Sequence, residues 1–404
     1  MIFSRFTTTL LFFLALAVLL PGSTKALTEK AHQTITDLRG IQVKIPVKIK
    51  RVVTIDDGLT EGIMTILGES SKIVGLGSRS LRKTSSFTIP SVSGKDHSFK
   101  DAMNPVRYLN PRFADLPLLK ENGGSIHFEA LASLKPDIVI MRVGTCSASW
   151  GISSQALNKN INVIESLGIP VVVLFSPPSY DSPNLKQIPE EINIIGRIFG
   201  KEQKAIQIAD YMESCIKAIE EKTKDITDVE KPRVLAIGLS SKSRSAGGAG
   251  NVRSGIMKYY IEEIVNAKSA FTVKRHTSDT GLINTEKVYA INPDVIVLTT
   301  SFGYHPPEEL YSAPYYQVFQ DLKAVQNKRI SALPFTPANC DASRLEYPID
   351  LMIIAKSCYP NRFKDIKIHE WVLAFYHTIY GVDRGTAEQL RSAQLLDWTV
   401  EADF

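Results

Sequence analysis

The chain has 404 residues, with 47 Lys and Arg against 42 Asp and Glu for a formal net charge of +5. That length exceeds what one compact core normally holds, so two units are expected. The apolar content of 44% is ordinary for a globular protein, and the lack of any long Lys/Arg run argues against nucleic-acid binding.

The first 26 residues stand apart. Arg5 supplies a small positive region, Leu10 to Leu20 is apolar, and Thr24-Lys25-Ala26 puts a small residue at the cleavage edge. This pattern predicts a cleavable secretory signal over 1–26 and a periplasmic mature protein that is only slightly basic. A retained anchor is the other reading, but the run is short for a spanning helix. No cysteine follows it to accept a lipid, and no second long apolar run predicts a membrane span.

From residue 27 the chain reads as an extended segment, with IQVKIPVKIK alternating apolar and basic residues as an edge strand does. Arg51 to Ile55 is a strand. Asp56-Asp57-Gly58 turns, and Thr60 is placed to cap a helix over Glu61 to Leu67. Lys72 to Leu76 is the next strand. Residues 80–123 are polar, contain proline and exceed an ordinary connection, so they are expected to be a surface insertion or a binding loop.

A unit then appears that occurs twice. Gly124 to Met141 reads GSIHFEALASLKPDIVIM and Gly281 to Leu298 reads GLINTEKVYAINPDVIVL. Without a gap they share Gly124/Gly281, Glu129/Glu286, Pro136/Pro293 and Asp137/Asp294. Each predicts a short helix ended by the residue before proline, Lys135 or Asn292. Each then predicts a strand buried on both faces, as in a parallel sheet. The shared frame implies two similar α/β lobes. Between the units lie helix Gln155 to Leu167 and strand Val171 to Phe175.

Apolar residues from Ile192 to Ile219 recur at helical spacing and predict a long helical connector over 185–224, although Gly196 and Gly200 interrupt it. A second α/β series starts with RVLAIG at Arg233, echoing RVVTI at Arg51. The stretch Ser240 to Gly250 is rich in Ser and Gly and precedes helix Ser254 to Val265; within it, Gly247-Gly248-Ala249-Gly250 is expected to be a flexible lip. Strand Arg329 to Leu333 and helices Tyr347 to Ser357, His369 to Tyr380 and Thr386 to Asp397 complete the chain. The expected architecture is α/β, with two Rossmann-like lobes of mainly parallel sheet joined by a long α-helix. The boundaries are 38–184, 185–224 and 225–404.

This organisation resembles the substrate-binding proteins of metal-chelate ABC importers, which take up ferric siderophores, haem and cobalamin. The IHFEALASLKPDIVIM stretch is similar to that family's signature, and YPIDLMIIAKSCYPNRF followed by HEWVLAFYHTIYG is similar to its closing helices. The resemblance covers the chain from about Asp37. It implies an interlobe cleft for a metal chelate, with iron first among the metals, no resident cofactor, and a monomer working with a permease dimer. It also implies that Glu129 and Glu286 pair with arginines on the two permease subunits.

Ligands of open α/β sheets sit beyond the carboxyl ends of the strands. Arg79, Arg142, Arg253 and Arg344 fall in or beside such loops and suit anionic chelates or oxyanions, although a surface salt bridge explains each equally well. Tyr304 and His305 offer groups that coordinate iron, against a solvated loop tip as the plainer reading. Trp150 suits stacking on a flat chelate or simple packing. The seven histidines are dispersed and no C-x-x-C pair exists among the four cysteines; Cys340 with Cys358 is the nearest candidate pair. The alternatives are a small oxyanion such as molybdate as ligand and, in another class, a chelate-processing enzyme. No P-loop, G-x-S-x-G or H-E-x-x-H supports catalysis.

Overall fold

The structure, a computed structural model, describes residues 31–120, 125–145, 154–179, 183–253, 255–271, 280–300, 303–335 and 344–404. The expected signal at 1–26 lies outside the described residues. No helix among them is long and apolar enough to cross a membrane.

A leading antiparallel hairpin, β1 (His32–Thr36) and β2 (Gln42–Pro46), opens the chain. In its turn, Leu38 N donates to Val173 O at 3.1 Å, and Asp37 Oδ2 accepts Val173 N at the same distance. The first sheet then forms from β3 (Val52–Ile55), β4 (Ile73–Leu76), β7 (Ile138–Val143) and β8 (Val171–Phe175), in the order β4-β3-β7-β8 and parallel throughout. Every residue of β3 and β7 is buried, as strands covered on both faces require. Around the sheet lie α1 (Leu59–Ile66), α2 (Pro105–Leu109), α3 (Phe128–Ser133) and α4 (Ser154–Ser166).

The insertion is an element of its own. It forms the antiparallel hairpin β5 (Ser85–Ile89) and β6 (His97–Ala102), with Phe87 opposite Phe99.

The connector differs from one long helix. It is a pair, α5 (Ile188–Phe199) and α6 (Glu202–Thr223). Gly200 ends α5 in the left-handed conformation at φ +63°, and Lys201 N returns to Gly196 O at 2.8 Å. That is the usual glycine stop, in which the missing Cβ removes the penalty for positive φ. A Cβ on Gly196 would sit 2.4 Å from Ala205 Cβ, so the two helices approach closely there.

The second sheet holds β9 (Arg233–Gly238), β10 (Gly250–Arg253), β11 (Lys268–Ser269), β12 (Thr280–Ile283), β13 (Val295–Leu298) and β14 (Ile330–Ala332). Its order is β12-β10-β9-β13-β14, with β11 paired to β9. The strands β9, β11, β13 and β14 run parallel; β10 is reversed against β9, and β12, antiparallel to β10, points the same way as β9. The Ser/Gly stretch makes α7 (Ser241–Ser245) and the start of β10, where a Cβ on Gly250 would lie 2.6 Å from Gly238 O. The expected helix at 254–265 is α8 (Ile256–Tyr259) running into a π-turn at Tyr260–Ile264. Helices α9 (Thr285–Ile291), α10 (Pro307–Ser312) and α11 (Lys323–Gln326) follow. The chain closes with α12 (Tyr347–Cys358), α13 (Ile368–Tyr380), α14 (Arg384–Ala393) and α15 (Trp398–Glu401).

The two repeated units build the same joint. Lys135 and Asn292 take positive φ, +44° and +41°, and so end α3 and α9 before the prolines. Asp137 Oδ2 accepts Lys50 N and Arg51 N at 2.8 and 3.0 Å, while Asp294 Oδ2 accepts Arg233 N at 2.9 Å. Arg51 Nε donates to Leu134 O at 2.7 Å, and Arg233 Nη1 to Ile291 O at 2.8 Å. The proline turns the chain, and the aspartate ties the turn to the start of the neighbouring strand. Cys215 and Cys358 are buried with free thiols; the expected pair of Cys358 with Cys340 falls on a residue outside the described ones.

Candidate functional site

The carboxyl ends of the first sheet are organised by Asp56. Its Oδ2 accepts Thr60 N at 2.7 Å and its Oδ1 accepts Asp57 N at 2.7 Å. Asp56 therefore caps α1, and the expected cap at Thr60 is corrected: the Thr60 hydroxyl is buried without a hydrogen bond among the described residues. Asp57 Oδ1 accepts Ser78 Oγ at 2.6 Å, which fixes the turn after β4.

Arg142, near the end of β7, has no exposed surface. Its Nη2 donates to Glu191 Oε1 at 2.9 Å, its Nε meets Glu191 Oε2, and its Nη1 lies 3.9 Å from Asp56 Oδ1. One guanidinium thus joins the β3 turn, β7 and α5. Burial pushes Glu191 up to about 7 against the pull of Arg142. Burial, then the Asp56 charge, pushes the neighbouring Glu61 up to about 8. Arg79 is exposed on the same side of the lobe.

In the second lobe, Tyr304 and His305 are not a solvated loop tip. Tyr304 is 1% exposed and its hydroxyl donates to Leu395 O at 2.7 Å; burial holds the phenol well above its ordinary pKa. His305 Nδ1 lies 2.8 Å from Glu309 Oε2. Glu309 Oε1 in turn accepts Tyr315 Oη at 2.9 Å and faces Arg244 Nη1 at 3.4 Å. The Arg244 guanidinium stands 3.9 Å over the Tyr315 ring, within cation–π range. Arg344 is buried too, bonded to Asp350 and, at 3.2 Å, to Gln394 Oε1. Tyr380 donates to the nearby Glu346.

The structure thus brings His305 together with Glu309, Tyr315 and Arg244, three residues the sequence reading did not single out. Arg244 lies in the Ser240 to Arg253 loop expected at a strand end; its partners come from α10 and the turn after it, which no local signal connects to that loop. Arg142 and Arg344 are each committed to a buried carboxylate, the salt-bridge reading of these arginines. Arg253 ends β10 opposite Thr280; its side chain, like Trp150, lies outside the described residues. Among the described residues no group of three or more His, Cys, Asp or Glu side chains is arranged to hold a metal ion.

Glu129 and Glu286 occupy the first turns of α3 and α9, and both are exposed. A carboxylate there suits the positive end of a helix.

A family model described as "Periplasmic binding protein" matches residues 100–337. The chain belongs to that family. This periplasmic binding protein is 24% identical over 342 residues to an uncharacterised ABC transporter substrate-binding lipoprotein, YvrC, of Bacillus subtilis (strain 168), covering 84% of this chain and 90% of the relative. Among solved structures it resembles a periplasmic solute binding protein from Veillonella parvula DSM 2008, with a TM-score of 0.67, 19% identity and coverage of 93% and 100% of the two chains. It also resembles the molybdate-bound periplasmic binding protein MolA of Haemophilus influenzae, with a TM-score of 0.61, 18% identity and coverage of 87% and 98%. These likenesses establish the two-lobed α/β fold. Periplasmic binding proteins bind their substrates rather than transform them, so the enzymatic alternative falls.

Proposed function

We propose that this periplasmic binding protein captures an anionic metal chelate, with an iron complex first among them, between its two lobes and delivers it to the permease of an ABC importer. The observation that carries delivery is the duplicated unit: Glu129 and Glu286 are exposed at equivalent positions, one in each lobe. Two equivalent carboxylates suit a partner with two equivalent subunits. The substrate-binding role named for the Bacillus relative supports the same partner.

For the ligand, the support lies at the strand ends. Exposed Arg79 stands at the first sheet, and the three-quarters buried Arg244 stands over Tyr315 at the second. Guanidinium groups pair with carboxylate or catecholate oxygens of a chelate. A bare oxyanion such as the molybdate bound by the Haemophilus protein uses the same chemistry.

The test is native mass spectrometry of protein purified from periplasm without chelators, followed by titration with ferric siderophores, haem, cobalamin, ferric citrate and molybdate. One chelate bound per chain without turnover is expected. Arg79→Ala or Arg253→Ala should weaken it by about 1.5–3 kcal/mol, the range for a charge-assisted hydrogen bond. Binding of molybdate alone would transfer the assignment to the oxyanion reading. Affinities untouched by either substitution would remove these arginines from the site.

A further inference from the structure

The hairpin β5–β6 belongs to the first lobe by sequence, but its polar and aromatic contacts reach the second. Phe87 and Phe99 are cross-strand partners and so share one face of the hairpin. The Phe99 ring lies 5.2 Å from that of Tyr304, edge-on. The Phe87 ring lies 5.3 Å from Phe335 and 6.4 Å from Tyr304. Tyr304 follows β13 and Phe335 follows β14, so both rings cover segments leaving the second sheet. A Cβ on Gly303 would come within 3.4 Å of Phe87.

Backbone bonds fasten the two ends of the same hairpin. At its tip, Val92 N donates to Ser312 O at 2.8 Å, and His97 Nε2 lies 3.3 Å from Ser312 Oγ. At its base, Met103 N donates to Ala393 O at 2.9 Å, and Gln394 Nε2 reaches Met103 O at 3.4 Å. A decorative surface loop has no need of backbone pairing with a distant part of the chain at both ends.

We propose that β5–β6 is an added, non-covalent tie between the lobes, beside the helical connector α5–α6 and the packing of α1 and α2 against α13 and α14. It holds the lobes at a fixed separation and seals Tyr304 and Phe335 from a solute in the cleft. A tie at a further place adds resistance to hinge opening. This inference does not depend on which solute is bound, and its test uses none.

Hydrogen exchange on the full chain reads the tie directly, because Val92 and Met103 amides are protected only while the hairpin is docked. In the unmodified protein both should exchange about 100-fold or more slowly than the amide of exposed Asp96 at the hairpin tip. In Phe87→Ser with Phe99→Ser, both should approach the Asp96 rate and the radius of gyration from solution scattering should rise. The amides of Val139 and Val297, inside the two sheets, should stay as slow as before and so report an intact fold. Phe87→Leu with Phe99→Leu should restore protection. Val92 and Met103 exchanging as fast as Asp96 in the unmodified protein would overturn the proposal, even if the serine variant fails to fold. So would a folded serine variant with both amides still protected and unchanged scattering.

Discussion

Glu61 lies in the first turn of α1 with no exposed surface, and neither carboxylate oxygen has a hydrogen-bond partner among the described residues. Burial, reinforced by Asp56, raises its pKa from 4.5 to about 8. The folded chain therefore holds this proton between those values while the unfolded chain releases it. The contribution of Glu61 to stability is full below about 4.5, falls as pH rises, and levels off above about 8, with a slope of about 1.4 kcal/mol per pH unit inside the window. Glu61→Gln should remove that slope and gain on the parent protein as pH rises, as read from urea unfolding between pH 5 and 8. Parallel pH profiles for the two proteins would show that Glu61 is ionised in the fold. Arg142 presents the opposite case, a cation whose removal leaves Glu191 buried and unpaired. Arg142→Met should cost about 3–5 kcal/mol in the same unfolding experiment. A loss under 1 kcal/mol, with ligand affinity reduced, would instead make Arg142 a ligand contact.

Elements follow from the sequence where the signal is local. Pro136 and Pro293 force their preceding residues out of the helix, and the apolar runs after them bury on both faces, so the repeated unit was legible residue by residue. Asp137 and Asp294 were legible as matched letters but not as ties, because their acceptor role depends on the strand that pairs alongside. Asp137→Ala strips an acceptor from two backbone N–H groups and should lower stability by about 1–2 kcal/mol. Asp294→Ala, with the single bond from Arg233, should cost less. Equal unfolding midpoints for both variants and the parent would reduce the aspartates to ornament. The hairpin β5–β6 was not legible: SSFTI and HSFKDA are short, mostly polar strands, and what holds them is two aromatic rings meeting Tyr304 and Phe335 over 200 residues away. The break between α5 and α6 was announced by Gly200, but the amphipathic pattern continues on both sides and hides the change of direction. At the candidate site, the strand-end positions of Arg142, Tyr304, His305 and Arg344 came from the sequence. Their burial did not, since Glu191, Glu309 and Asp350 reach them only in the folded chain.

At the scale of the whole molecule, the two lobes present one matched feature to the outside. Glu129 and Glu286 stand in the first turns of α3 and α9, ahead of proline–aspartate joints that share the bond from Arg51 N to Asp137 and from Arg233 N to Asp294. The helix dipole accounts for up to about 1 kcal/mol at each, but it does not account for a glutamate at the same offset in both lobes. Paired, exposed carboxylates on rigid joints are suited to meeting basic groups on two subunits of one partner. Such pairing sets register and encounter rate more than affinity, and salt screens it over about 8 Å at physiological ionic strength. Glu129→Arg combined with Glu286→Arg should therefore leave unfolding and solute binding near the parent values while abolishing uptake in cells. Each single variant should fall between, and in reconstituted vesicles the stimulation of the transporter's ATPase by the loaded parent protein should weaken as salt rises. Normal uptake by the double variant would remove the two glutamates from docking, and loss of solute binding would place them at the ligand instead.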